Sequence, residues 1–296
     1  MDITASLVKD LREKTGAGMM DCKKALVETN GNIDLAIDWL REKGIAKAAK
    51  KESRIAAEGL CEVLSDKNKA IVFELNCETD FVSQNERFIK LVSTVGNILL
   101  NSNALTNEEA LLVTENAKTL QQILLESVVF IGEKISLRRY EVFTKTDNQV
   151  FGLYKHMGGK IVSLSILNGG DFQTAKDIAM HVAASSPKYL SQKDIAPEII
   201  VHEKQVLTNE ALNENETAEK PKPQAIILKM VEGRLNKNLK EICLVNQAFI
   251  KNPDQSVEEY VKSKGATIAS FTRLAVGEGI EKKEDNFADE VLSQVK

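Results

Sequence analysis

The chain has 296 residues, about two average domains by length, and 43% of them are hydrophobic and 28% charged. That globular balance excludes a wholly disordered or fibrous chain. Lys plus Arg is 39 against 43 Asp plus Glu, a net charge of −4, which argues against a generally basic nucleic-acid binder while leaving room for a local basic patch.

The first 45 or so residues read as three short helices with tight loops, by hydrophobic period and punctuation. Ile3, Leu7, Val8 and Leu11 share one face, and Gly16 and Gly18 stop that helix. Asp21 is a cap for the second, with Cys22, Ala25 and Leu26 inward. After the Asn30-Gly31 turn, Asn32 caps a third, with Leu35, Ala36, Trp39 and Leu40 inward and Gly44 past its end. Met19 and Met20 fall in the first loop. They either tuck into the bundle or form a soft apolar contact surface for a partner. Residues 41–54 then read as an exposed helical linker. Arg41, Lys43, Lys47, Lys50, Lys51 and Arg54 face only Glu42 and Glu52 there. The stretch is a solvated face or a patch that steers an acidic partner.

The middle of the chain carries an internal duplication pattern. Gly59–Leu64 and Ala70–Asn76 are strand-like, a turn reaches Asp80-Phe81, and a helix follows with Phe88, Leu91, Val92 and Val95 on one face. Ile135–Val142 closes the unit as a third strand. The second unit repeats the order: strands at Val150–Tyr154 and Lys160–Asn168, then Gly169-Gly170 and Asp171-Phe172. Its helix has Ala175, Ile178, Ala179 and Val182 inward, and its last strand is Ile268–Ala275. Three-stranded antiparallel sheets backed by helices make an α+β fold. A helical hairpin interrupts the second unit. Ile195, Ile199, Ile200, Val206, Leu207 and Leu212 stripe one arm, and Ile226, Ile227, Met230, Val231 and Leu235 the other. The polar segment Asn213–Pro223 breaks between them. After Gly277-Glu278-Gly279 a charged helix ending in Phe287, Ala288, Val291 and Leu292 reads as a terminal arm.

Signals for covalent chemistry are sparse. GxGxxG, P-loop, HExxH and GxSxG patterns are absent. Cys22, Cys61, Cys77 and Cys243 lack CxxC spacing and read as reduced, buried thiols. No apolar run spans a bilayer, and the charged start MDITASLVKDLREKTG lacks a secretory stretch, so the chain is expected in the cytoplasm. His181 sits on a helix stripe as a satisfied core histidine, whereas His156, in Tyr154-Lys155-His156-Met157-Gly158-Gly159, is a surface-contact candidate. The most informative segment is Cys77-Glu78-Thr79-Asp80-Phe81-Val82. A metal site there would need more carboxylates close in sequence. Asp80 either caps the next helix with Phe81 as its staple, or the strand end presents an acid and an aromatic wedge to a partner. Two rivals are weaker. A cysteine hydrolase using Cys77 lacks an oriented base, and a nucleic-acid adaptor would rest on residues 41–54 alone.

Long segments resemble the bacterial elongation factor Ts family. They are Ile3–Lys9, Thr15–Leu26, Thr79–Val82, Ile178–Ser185, Met230–Arg234 and Val276–Lys282, in the family's order across essentially the whole chain. Lys220-Pro221-Lys222-Pro223 at the hairpin turn and Ala248 in Gln247-Ala248-Phe249, where the family usually has Pro, are the departures. The resemblance implies a non-enzymatic guanine-nucleotide exchange factor for elongation factor Tu, in GDP-bound and nucleotide-free forms, in translation elongation. It implies no cofactor, no membrane and no direct nucleic acid. It also implies parts: a ubiquitin-associated-like bundle and linker at 1–54, a core N subdomain at 55–140, and a core C subdomain at 141–188 and 242–277. A coiled-coil hairpin at 189–241 and a C-terminal module at 278–296 complete them. The hairpin offers a homodimer or heterotetramer contact, or folds back on itself. In the family, Thr79, Asp80, Phe81 and Val82 match the segment that displaces magnesium from the GTPase. Arg12, Met19 and Met20 would belong to the bundle's contact surface, and His156 matches a histidine near the partner's phosphate-binding loop.

Overall fold

A computed structural model describes residues 3–15, 17–51, 53–217 and 220–281, with side chains throughout except at 45–50. The fold is α+β, with two three-stranded sheets as its frame. The chain divides into two compact units. The first holds the described residues of 1–143, 157–161 and 274–281, and the second holds 144–156 and 162–273.

In the first unit, α1 (Ala5–Thr15), α2 (Met19–Glu28) and α3 (Ile33–Lys51) form the expected bundle. Its core is Val8, Leu11, Cys22, Ala25, Leu26, Ala36 and Leu40. Asn32 does cap α3, its side chain accepting from the Leu35 N–H at 3.1 Å. Three local expectations are corrected. Gly18 rather than Asp21 precedes α2, with Asp21 inside its first turn. Leu35 points outward, 55% exposed. Gly44 does not end α3, which runs on to Lys51. A Cβ at Gly44 would lie 2.3 Å from a methyl of Val129, so this glycine is where α3 presses on a later helix of the unit. Arg41 reinforces that approach by pairing with Glu126 at 3.1 Å. Gly16 and the Phe287–Leu292 arm lie outside the described residues, as do the Lys47 and Lys50 side chains.

The first sheet runs β1 (Glu58–Asp66), β2 (Lys69–Cys77), with β5 (Ser136–Thr144) completing it and β2 in the centre. β1 and β2 are an antiparallel hairpin with Leu60 opposite Leu75 and Val63 opposite Val72. β2 is buried along almost its whole length, as a central strand covered on both faces would be. Between β2 and β5 come the one-turn α4 (Asp80–Ser83), α5 (Glu86–Leu100) and α6 (Asn107–Leu112). The small ribbon β3 (Thr114–Glu115) and β4 (Lys118–Thr119) and then α7 (Leu120–Ile131) follow. Phe73, Phe88, Val92, Val95, Leu99, Leu120 and Leu124 fill the core against the sheet. α5 buries the face its spacing predicted, with Phe88, Leu91, Val92 and Val95 inward.

A charge lies deep in this unit. The Glu74 carboxylate, wholly buried on β2, accepts from Arg138 at 3.1 Å, Arg139 at 2.5 Å, Asn76 at 2.9 Å and the Gly277 N–H at 2.7 Å. Arg138 and Arg139 go on to the carbonyls of Glu278 and Ala275. A buried carboxylate is tolerable only when so fully partnered. Here it ties the chain after the last strand to the first sheet.

In the second unit, β6 (Gln149–His156), β7 (Ile161–Asn168) and β10 (Thr267–Ala275) form the other sheet, again with the second strand central. α8 (Phe172–Ser185) backs it. The inserted hairpin is α9 (Pro197–Glu216) and α10 (Gln224–Ile242), zipped by Leu207, Ala211, Ile227, Val231 and Leu235. α9 carries on through Asn213–Glu216, part of the segment expected to break it. Ile199, Val206, Leu212 and Ile226 of the apolar stripes are exposed. β8 (Ala248–Phe249), β9 (Asn252–Ser256) and α11 (Val257–Ser263) precede β10.

Gly152 on β6 sets how closely α8 lies on the sheet. A Cβ there would fall 2.1 Å from the backbone of Ala175, which cannot rotate away as a side chain could. Gly152→Ala is expected to destabilise the second unit by about 2 kcal/mol or more, seen as a lower urea midpoint. Gly44→Ala meets only a side chain and gains helix propensity, so its loss should be smaller.

Candidate functional site

The segment singled out in the sequence lies where β2 ends. Thr79, not Asp80, caps the next turn: its Oγ1 accepts from the Val82 N–H at 3.3 Å. Phe81 does not pack as a staple and is 84% exposed. Asp80 is exposed too, and its carboxylate makes no hydrogen bond or ion pair among the described residues. Val82 is half-buried against the core of the unit. The strand end therefore presents a free acid beside an aromatic ring, and the cap-and-staple alternative falls.

A helix of one turn cannot hold itself, because nucleation fixes several dihedrals for a single hydrogen bond. Its neighbours hold it. The Glu133 carboxylate, just past α7, accepts from the N–H groups of Glu78 and Thr79, both at 2.9 Å, and from the Thr79 hydroxyl at 2.6 Å. In return, Glu78 accepts from the Lys134 N–H at 2.7 Å and from Arg54 at 3.1 Å. Lys160 donates to Ser83 Oγ at 3.3 Å and to Glu58 at 2.9 Å. The Cys77 thiol donates to the Thr79 carbonyl at 3.2 Å. Sequence reasoning missed Glu133, Lys134, Arg54 and Lys160. Their only signal is charge within segments far from Thr79.

The remaining candidates lie apart in the chain. Met19 and Met20 open α2 at 58% and 75% exposure, and Arg12 on α1 is exposed, so the methionines do not tuck into the bundle. His156 ends β6, exposed, its ring stacked beside Tyr154 and its Nδ1 3.3 Å from the Tyr154 hydroxyl. His181 is wholly buried on α8. Its Nδ1 accepts from the Ile250 N–H at 3.2 Å, so Nε2 carries the proton and donates to Gln247 at 2.9 Å.

All four cysteines are free and buried. Burial, and then the charge of Glu133, push the Cys77 thiol up to about 12. A thiol so raised is a poor nucleophile, and the hydrolase reading fails. Among the described residues no group of three or more His, Cys, Asp and Glu could hold a metal ion. No described helix is long and apolar enough to cross a membrane.

The site presents an exposed aromatic on a turn held from outside by Glu133, a group suited to contact with another macromolecule. The model of the family described as elongation factor TS matches residues 78–278, more than half of the chain. The chain belongs to the elongation factor Ts family. Its members are translation elongation factors that exchange nucleotide on elongation factor Tu rather than catalyse a covalent reaction. The matched span begins at the strand end just described.

The buried imidazole makes the second unit sensitive to acid. Burial lowers the His181 pKa below its ordinary 6.5, partly opposed by the bond to Gln247. The unfolded chain then binds this proton more readily than the folded one. Stability is full above pH 6.5, falls as the pH drops below it, and levels off beneath the folded-state pKa. The urea midpoint should fall between pH 7.5 and pH 5.5, and fall less in His181→Gln, when followed by circular dichroism.

Proposed function

We propose that this chain promotes GDP release from elongation factor Tu in the cytoplasm by disturbing the magnesium and phosphate site of the GTPase. The acting segment is Thr79, Asp80, Phe81 and Val82. The observation that carries the reading is Phe81, a large aromatic 84% exposed on a turn whose backbone is fixed by outside partners. An exposed ring gains nothing in the free protein. Sunk between helices of a partner it becomes a central anchor. Asp80, unpartnered beside it, then perturbs polar groups near the magnesium.

The physics is linkage. A GTPase holds GDP through a phosphate-cradling loop and a bridging Mg²⁺. A protein that binds the empty GTPase more tightly than the loaded one must weaken nucleotide binding by the same factor. Each tenfold of that factor needs about 1.4 kcal/mol of differential contact. No residue of this chain makes or breaks a covalent bond in that scheme. Arg12, Met19 and Met20 supply affinity on the bundle, their flexible thioethers conforming to an apolar partner face. His156 lies at the partner's phosphate-binding side.

Truncating a central aromatic typically costs about 2 kcal/mol, roughly thirtyfold. Phe81→Ala should slow GDP release from the complex by about that factor. Stopped-flow release of a fluorescent GDP measures it, and an unchanged rate rejects the wedge. The double change Met19→Ala with Met20→Ala should weaken association about tenfold or less and leave release at saturation intact. Titration of nucleotide-free elongation factor Tu tests this; unaltered affinity would remove the bundle from the contact surface.

A further inference from the structure

We infer, resting on the reading of Thr79–Val82 as the acting segment, that Glu133 is a positioning residue for nucleotide exchange. Its carboxylate fixes the direction in which Phe81 and Asp80 leave the strand end. Three donors converge on it: the Glu78 N–H and Thr79 N–H on Oε2, and the Thr79 hydroxyl on Oε1. Those donors belong to the two residues immediately before α4. The rest of the hold on this one-turn helix is slighter: its own Thr79 cap, the Cys77 thiol on the Thr79 carbonyl and the Ser83 hydroxyl on the Asp80 carbonyl. Phe81 contributes no burial to keep the turn in place, since its ring faces solvent.

The hold is reciprocal. Glu78 receives the Lys134 N–H while Glu133 receives the Glu78 N–H, so the end of β2 and the link from α7 to β5 are locked in both directions. Arg54 completes the lock on Glu78 at 3.1 Å. The order of the turn is thus present before any partner binds. Ordering a loop on binding would otherwise subtract from the affinity and mis-aim the ring. A shift of about 1 Å in a positioned group can cost on the order of a hundredfold in a step that depends on geometry.

Reach and charge can be separated at this residue. Glu133→Asp keeps the charge but shortens the side chain by one methylene, pulling the oxygens away from all three donors. Glu133→Gln removes the charge but keeps the reach. Its carbonyl oxygen can accept both N–H groups while its amide donates to Thr79 Oγ1. In the full chain, Glu133→Asp is expected to lower the saturating rate of fluorescent GDP release from elongation factor Tu roughly tenfold. Glu133→Gln is expected to stay within about twofold of the parent. The half-saturating concentration should move less than the saturating rate in Glu133→Asp, a split that a loss of stability alone would not produce. Amide exchange at Glu78 and Thr79 should quicken in Glu133→Asp only.

Phe81→Ala runs beside them. If it is slow while both Glu133 variants match the parent, Glu133 has no positioning role and the reading of Phe81 stands. If Glu133→Gln is as slow as Glu133→Asp, charge rather than aim matters and the inference is overturned. If Phe81→Ala matches the parent, the acting segment lies elsewhere and the inference falls with it.

Discussion

The strand end is tied down by a carboxylate that arrives from 54 residues further along the chain. Glu133 takes the hydrogen bonds that would otherwise be left open where β2 stops and the one-turn α4 begins. Charge-assisted bonds of this kind are about twice as strong as neutral ones. They let a surface turn behave as a rigid element. The consequence is a Phe ring held 84% exposed. Without an external lock the turn would fray, and an exposed aromatic on a frayed turn would collapse onto the nearest apolar surface. The core beneath supplies the platform: β2 is central, buried and packed by Phe88, Val92 and Leu124, so the strand end has little freedom to follow the turn.

The two units use the same strand–strand–turn–helix order and spend their acidic residue differently. In the second, Asp171 caps α8, accepting from the Thr174 N–H at 2.7 Å. That bond is the largest cause holding its carboxyl below the usual range. In the first, Thr79 takes over the cap and leaves Asp80 free. Phe172 is 57% exposed against 84% for Phe81. One substitution of role, threonine for aspartate at the cap, turns a routine helix start into an acid-and-aromatic pair aimed at solvent. The second unit also spends a buried acid on structure, as the first does with Glu74. Asp177 accepts from Lys251 at 2.6 Å, Tyr260 at 2.9 Å and Gln173 at 2.7 Å. Burial alone would raise its pKa, but these three donors outweigh it and hold the carboxyl low. Burial and that same carboxylate push the Tyr260 phenol up to about 12.

Much of the fold was legible because it rests on local pattern. The six core strands fall within a residue or two of their β-rich runs, and α5 and α8 bury the faces their spacing dictates. What failed was decided by distant neighbours. Gly44 carries the usual signal of a helix end, yet α3 passes through it, and the glycine is there because a Val129 methyl lies where its Cβ would be. Asp80 has the composition of a cap, but Thr79 stands one residue closer to the strand and reaches the Val82 N–H. At the site, Phe81 and Asp80 could be picked from the sequence, while Glu133 could not. No periodicity or motif links a carboxylate in a short connection to two amides just past the end of a distant strand. Exposure was equally hidden: the hydrophobic pattern cannot tell Met19 and Met20 on a surface from methionines in a core.

A protein that works by binding needs its contact groups to be poor structural residues. Phe81, Met19 and Met20 bury little in the free chain, so removing them should leave the fold intact. The structural work is moved to charges instead. Glu74 gathers Arg138, Arg139 and the Gly277 N–H inside the first unit, and stripping one partner from such a buried cluster typically costs about 3–5 kcal/mol. Glu133 does the same at the rim, with smaller stakes and a directional result. The division has a physical reason. Apolar burial is non-directional and cannot aim a side chain at solvent, whereas hydrogen bonds to a fixed carboxylate set angle as well as distance. The direction in which Phe81 leaves the strand end is therefore set by carboxylate geometry, and the hydrophobic core supplies the rigidity behind it.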